Sequence, residues 1–333
     1  MKPNKKLTIE WLCAVPARRL QNLEQSNLAS VRLRTSVGIR AALSLGFTST
    51  LSDGREARPA QAVVVSKLDF VTDPTRPERW IQRLRQLKAG GSRVIVDYTD
   101  HHMATESPAA GFYREAIALC DTVIASSNRL CEHIAVHTGR KAVMIDDPIE
   151  VAQQAPAARN NQIRTALWFG HATNLPYLFD YLVNRYESHT ERRLILMTNL
   201  HPLPDQYISL LEVPRLRKLE ISIVPWSTKD LLTAANLSDF CLLPVGISDP
   251  RKSGASSNRL LTALAMGLPT AADRLDSYIP FSDYFSDLAS IDINTLFDDP
   301  ERFFPSVQAA QRHISKDHTI QAAQLRWENL LLC

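Results

Sequence analysis

The sequence predicts an α/β protein made of two doubly wound domains in tandem. Three observations carry that prediction. Short apolar runs alternate with longer helical patterns, the signature of parallel strands covered by helices. The alternation halts at 148–164, PIEVAQQAPAARNNQIR, which has no sustained apolar period, and then starts again. A chain of 333 residues is also too long for one ordinary core and suits two domains of ~150 residues each.

In the first half, Leu7 to Cys13 reads as a strand. The second part of Ser26 to Gly46 has helical spacing at Val37, Ala41 and Leu45, with a glycine stop. Gln61 to Val65 is a short strand. Arg76 to Lys88 is an amphipathic helix with Trp80, Ile81, Leu84 and Leu87 on one side. Arg93 to Val96 is a strand running into Asp97, Tyr98, Thr99, Asp100, His101 and His102. A helix follows over Gly111 to Leu119, then a strand at Thr122 to Ala125, a helix capped by Ser126 or Ser127, and a strand at Ala142 to Ile145. These make a first domain over 1–150, with 151–164 as a linker.

The second half opens with a strand, Thr165 to Phe169, ending at Gly170 and His171. Leu175, Leu178, Phe179, Leu182, Val183 and Tyr186 then form a buried helical stripe. Strands follow at Leu194 to Met197 and Leu219 to Val224, and Trp226–Ser227–Thr228 opens a helix. The most informative stretch is Asp239 to Tyr278. Its apolar run Phe240 to Pro244 reads as a buried strand, followed by a loop with Arg251 and Lys252. Ser256, Ser257 and Asn258 start a helix that Gly267 ends, and Thr270 to Ala272 is another strand. Free N–H groups at a helix start, with two cations nearby, make an anion site. The second domain spans 165–312, and the last helix, 313–333, is expected to pack back toward the first domain.

The bulk numbers exclude some classes. Net charge is +3, split as +5 over 1–150 and −2 over the rest, which argues against a dedicated nucleic-acid binder. Five scattered cysteines with no CxxC pair read as reduced, buried residues of a cytosolic protein. No window approaches the apolar length of a membrane span, so membrane contact is expected to be peripheral at most.

Ligands of doubly wound sheets bind at the carboxyl ends of the strands. That rule selects Asp97–His102, Gly170–His171, Trp226–Thr228 and Val245–Asn258. At these positions the chain resembles the GT-B glycosyltransferases that use nucleotide-diphosphate sugars. ALWFGHATNLPYL (166–178) resembles the first strand and glycine turn of their donor domain. VPWSTKDLLTAANLSDFCLLPV (224–245) resembles the segment that holds the base, and KSGASSNRLLTALAMGLPTAA (252–272) the donor-site helix. VIVDYTDHH (94–102), CDTVIASSNRLCEHI (120–134) and SVRLR (30–34) resemble parts of the acceptor domain.

The resemblance implies two Rossmann-like domains facing an interdomain cleft, with no cofactor beyond the nucleotide-sugar substrate. It implies donor binding by Gly170, His171, Trp226, Ser227, Arg251, Lys252, Ser256, Asn258 and Arg259. Asp100, His101 and His102 are the candidates for acid–base work on the acceptor, because an inverting transfer needs a general base. Asp97, Arg32 and Arg34 are candidates for acceptor contact, the two arginines sharing one face of an extended segment. The acceptor would be a glycan, lipid-linked or other hydroxyl compound, with no nucleic acid. A metal at the Asp/His cluster would need a second, distant group of ligands, and none is expected. Many retaining members carry a glutamate pair where this chain has Gly254 and Thr262, so retaining and inverting routes both stay open. A non-catalytic sugar-binding or scaffold relative is the alternative.

Overall fold

The computed structural model describes residues 7–14, 20–56, 58–69, 72–188, 190–200 and 202–333. The chain divides into two compact units. Unit one comprises Met1–Pro148, Asp249–Ser256 and His318–Cys333, and unit two comprises Ile149–Ser248 and Ser257–Asp317.

Unit one begins with β1 (Thr8–Leu12), α1 (Leu20–Glu24), a π-helical turn at Val31–Thr35, and α2 (Ser36–Ser44). It continues through β2 (Thr48–Ser52), β3 (Ala62–Val65), α3 (Arg76–Ala89), β4 (Arg93–Tyr98), α4 (Pro108–Leu119), β5 (Thr122–Ala125), α5 (Asn128–Thr138) and β6 (Ala142–Met144). All strand pairs are parallel, in the order β2-β1-β3-β4-β5-β6. The two-residue period of the strands sorts their side chains onto two cores. Val63, Val65, Val94, Val96 and Val123 join Trp80, Leu84, Phe112 and Tyr113 on one face. Val64, Ile95 and Ile124 join Trp11, Val37 and Trp327 on the other. Burial on both faces is why these strands read as unbroken apolar runs.

Unit two contains β7 (Thr165–Gly170), α6 (Leu175–Asn184), β8 (Arg192–Thr198), α7 (Asp205–Leu211), β9 (Leu219–Pro225), α8 (Thr228–Asn236) and β10 (Phe240–Leu243). Then come α9 (Asn258–Ala265), β11 (Thr270–Ala272), β12 (Ser286–Asp287), α10 (Ile293–Asp298) and α11 (Phe304–Asp317). Its parallel sheet has the order β12-β11-β10-β7-β8-β9. Leu175, Leu178, Phe179 and Leu182 of α6 pack on Trp168, Leu194 and Phe240.

The last helix, α12 (Ile320–Leu332), belongs to unit one. Trp327 is 1% exposed and meets Trp11 with ring centroids 5.7 Å apart. The helical tail is broken before α12 because Thr319 caps a new helix, its Oγ1 accepting from Ala322 N at 3.1 Å. At the carboxyl end of the first sheet, His318 Nδ1 lies 2.6 Å from Asp146 Oδ2, and Arg326 donates to Asp146 Oδ1.

Two expectations need correction here. The SVRLR stretch is not extended: it winds as a π-helical turn running into α2, so Arg32 and Arg34 do not share a strand face. The cysteines are all free, but Cys131 is half-buried and Cys333 exposed, so burial holds only for Cys13, Cys120 and Cys241.

Candidate functional site

In unit two, β7 ends at Gly170 and turns directly into a short helical turn, Ala172–Asn174. Arg259, the second residue of α9, reaches this strand end. Its Nε donates to the Phe169 carbonyl at 2.9 Å, and its guanidinium lies 5.2 Å from the Trp168 ring centroid. Its Nη2 is buried and has no hydrogen-bond partner. Burial pushes the Arg259 pKa down, which marks a cation with too little compensation. Gly170 makes room for it: a Cβ there would stand 3.1 Å from both Arg259 Cζ and Nη2. Ser257, at the cap position of α9, makes no side-chain cap bond. Asn258 is the first residue of the helix.

The neighbouring turns are already ordered by their own side chains. His171 Nδ1 faces Thr173 Oγ1 at 3.1 Å, and Ala172 N donates to Asn199 Oδ1 at 2.8 Å. Trp226 is half-buried rather than core, its N bonded to the Thr198 carbonyl at 2.9 Å. Ser227 caps α8: its Oγ accepts from Asp230 N at 3.0 Å and donates to Asp230 Oδ2 at 2.6 Å. That hydroxyl is spent on the helix, so donor contact from Ser227 would have to come from its backbone.

Arg251, Lys252 and Ser256 fall in the segment that belongs to unit one. Arg251 is held by Asp249, with Nη2 to Oδ2 at 2.8 Å and Nε to Oδ1 at 3.0 Å. Gly254 has a φ of +85°, and a Cβ on it would stand 3.1 Å from Leu130 N. Ser127 Oγ donates to its carbonyl at 2.7 Å. Gly254 is thus a docking point on the start of α5, where a glutamate would be strained. Thr262 is 1% exposed inside α9, so a glutamate there would bury an unpartnered carboxylate.

In unit one, the carboxyl end of β4 gathers the titratable groups. Asp97 is 2% exposed and Arg34 1%. Arg34 donates from Nη2 to Asp97 Oδ1 at 2.6 Å, and from Nη1 to Asp147 Oδ1 at 2.8 Å and the Ile145 carbonyl at 2.6 Å. Burial alone would lower the Arg34 pKa, but the charges of Asp97 and Asp147 reverse that and raise it. Burial pushes the Asp97 carboxyl up against the pull of Arg34. Arg34 and Asp97 face each other in the interior, not an acceptor, and Arg32 is buried with its guanidinium donating to the Ser26 carbonyl. Asp147 completes the network.

Asp100 pairs with Lys67 at 2.5 Å. Burial pushes the Asp100 carboxyl up, but Lys67, His102 and Lys252 together hold it well below the usual carboxylate range. His102 stacks on Tyr113 at 4.8 Å, with Nε2 buried, unpartnered and 4.0 Å from Asp100 Oδ2. Burial depresses its pKa, with Asp100 pulling the other way. His101 turns elsewhere. It stacks on His133 at 3.9 Å, with His137 at 5.2 Å, and burial and these neighbours lower its pKa to about 4. One ligand atom from each of the three histidines falls within 4.8 Å of the others, the spacing a transition-metal ion could close.

Sequence reasoning missed Lys67, His133 and His137. The spacing of the last two, four residues apart on one helix, was the available signal. It also missed a cavity of about 690 Å³ in unit one whose lining includes Asp53, Arg55, Asp69, Asp73 and Arg76. No motif marks it, because its walls come from loops after three separate strands.

No protein-family model matches the chain, and no curated protein does either. Solved structures do. An alpha-glucosyltransferase (AGT) in complex with UDP aligns over 98% of this chain and 100% of its own, at TM-score 0.58 and 11% identity. This is the GT-B fold. A lipopolysaccharide outer core galactosyltransferase, WaaB, in its apo form aligns over 98% of this chain and 99% of its own, at TM-score 0.54 and 11% identity. TarM matches 82% of this chain and 55% of its own, at TM-score 0.57 and 10% identity, so this chain spans only about half of it. In the GT-B frame, β7, Gly170 and α9 belong to the carboxyl-terminal sheet and the β4 cluster to the amino-terminal one. Among the described residues, no helix is long and apolar enough to cross a membrane.

Proposed function

We propose that the chain is a glycosyltransferase that moves a sugar from a nucleoside-diphosphate donor to a hydroxyl acceptor. One observation carries this reading: Arg259 buries a guanidinium nitrogen without a partner, at a glycine-ended strand and beside the start of α9. A buried cation with a spare donor is costly unless a ligand supplies the anion. A diphosphate does so, and charge building on it as the sugar leaves is stabilised by groups already in place. Asn258 and the Trp226 turn complete the donor site in this reading, with Gly170 leaving Arg259 the space it occupies. UDP in the similar AGT structure supports a uridine nucleotide as the first donor to try.

The acceptor is a glycan, lipid-linked or other hydroxyl compound, for which the charged cavity of unit one offers room. His102, with Asp100 beside it, is the base on the acceptor hydroxyl, and the reaction takes place in the cytosol without a cofactor beyond the donor. The test is turnover of UDP-sugars with and without a mixture of glycan acceptors. Release of UDP that rises with acceptor supports the transferase.

The second reading is a non-catalytic GT-B relative that binds sugar nucleotides. The left-handed backbone at Gly254 and the burial of Thr262, each of which disfavours a glutamate, favour it. Nucleotide binding with no turnover of any sugar nucleotide selects that reading.

A further inference from the structure

We infer that unit one carries a binding site for one zinc-class divalent cation, with His101, His133 and His137 as ligands. α5 presents His133 and His137 four residues apart, one helical turn, so their rings share a face. The end of β4 brings His101, 4% exposed, against that face. The three ligand atoms already lie within 4.8 Å of one another. Three nitrogens at ~2.0–2.1 Å from a tetrahedral zinc stand about 3.3 Å apart. Part of the closure falls to His137, the exposed member of the trio.

The rings touch one another and polar neighbours. The His101 and His133 rings lie parallel, 10° between planes, at a centroid distance of 3.9 Å. Parallel rings have no common in-plane point, so closing on one ion also takes a turn of the half-buried His133 ring. Around them stand polar groups of the kind that orient metal ligands: Tyr98 Oη is 3.5 Å from His101 Nδ1, and Ser253 Oγ is 2.8 Å from His133 Nε2. Three imidazoles with no thiolate or carboxylate among them select zinc, cobalt, nickel or copper over magnesium or calcium. The distant second group of ligands missing from the sequence reading is thus supplied by α5. This assignment takes His101 out of acid–base work and leaves the Asp100–His102 pair for it.

The test uses the full-length chain without an affinity tag, stripped with EDTA, desalted and titrated with Co²⁺ alone. Visible d–d bands stronger than those of aqueous cobalt are expected, saturating at one equivalent and bleached by Zn²⁺. His133→Ala and His137→Ala are each expected to weaken Co²⁺ binding at least ~100-fold, while His313→Ala binds as the wild type does. His137 is exposed, so its replacement leaves the fold intact, as equal urea midpoints for the metal-free proteins would show. A wild-type spectrum like that of aqueous cobalt overturns the site, as do bands that survive in both variants. No nucleotide is present, so failure here leaves the donor reading standing.

Discussion

The Arg259 guanidinium occupies the space that a side chain on Gly170 would need: a Cβ there would come within 3.1 Å of its Cζ and Nη2. Phe169 O satisfies Nε, and Nη2 is left buried without a partner. The pair explains why β7 ends in glycine and why the cation behind it is poised for an anion.

Replacing Arg259 should therefore separate binding from stability. Charge-assisted hydrogen bonds contribute ~1.5–3 kcal/mol each, so Arg259→Met should weaken UDP binding on the order of 10–100-fold. The same change removes a buried, under-compensated charge, and the nucleotide-free protein should melt at the wild-type temperature or above it. Calorimetric titration with UDP and a melting curve check the two halves.

Gly170→Ala should also weaken UDP binding, by displacing Arg259 rather than by removing it. The effect should be smaller than that of Arg259→Met. In the Arg259→Met background Gly170→Ala should cost UDP nothing further, a coupling that a double-mutant cycle reads directly.

Arg34 ties Asp97 at the end of β4 to Asp147 beyond β6. Removing the guanidinium leaves two carboxylates buried together, and Arg34→Met should cost ~3–5 kcal/mol. Adding Asp97→Asn to that variant should restore part of the loss. Urea unfolding measures both, and additive losses would show that the pair is not coupled.

Gly254→Glu should not restore the glutamate found in many retaining GT-B enzymes. The residue sits at φ +85° with Leu130 N close behind its absent Cβ. A side chain costs ~1–2 kcal/mol for the left-handed backbone alone, and the Leu130 contact adds to it. The expected result is a lower urea midpoint with no gain in sugar transfer.

Acid should loosen the attachment of α12. Burial raises the Asp146 carboxyl, but His318 and Arg326 outweigh it and hold the pKa below its ordinary value. A carboxylate depressed in the fold contributes stability above its unfolded pKa of ~3.9 and loses it as pH falls through the folded value. The protection of α12 amides against hydrogen exchange, relative to each amide's intrinsic rate, should therefore fall below pH ~4 in the wild type. In Asp146→Asn that protection should be lower at neutral pH and change less with acid.

The α/β order was legible because strands buried on both faces read as apolar runs, and Ser and Thr caps marked helix starts. β2 was not, since TSTLS at a sheet edge has no apolar period. Gly170 and Arg259 could be singled out by strand-end logic and resemblance. That they meet, and that Nη2 lacks a partner, depends on the register of β7 against α9, which no local pattern carries. Arg251 and Lys252 stand out as phosphate ligands because charge in a loop is visible in sequence, whereas the bond that Arg251 donates to Asp249 is not obvious there. The same blindness to distance made Arg34 and Asp97 look like surface groups, and it kept His101 apart from His133 and His137.

The most direct measurement of the central claim is calorimetric titration of UDP into the wild type and into Arg259→Gln. A saturable, one-site heat for the wild type, weakened at least ~10-fold in Arg259→Gln with an unchanged melting temperature, is the predicted result. Equal affinity for the two proteins would contradict the assignment of Arg259 to the diphosphate, and no heat from the wild type with UDP, ADP or GDP would contradict the donor site itself.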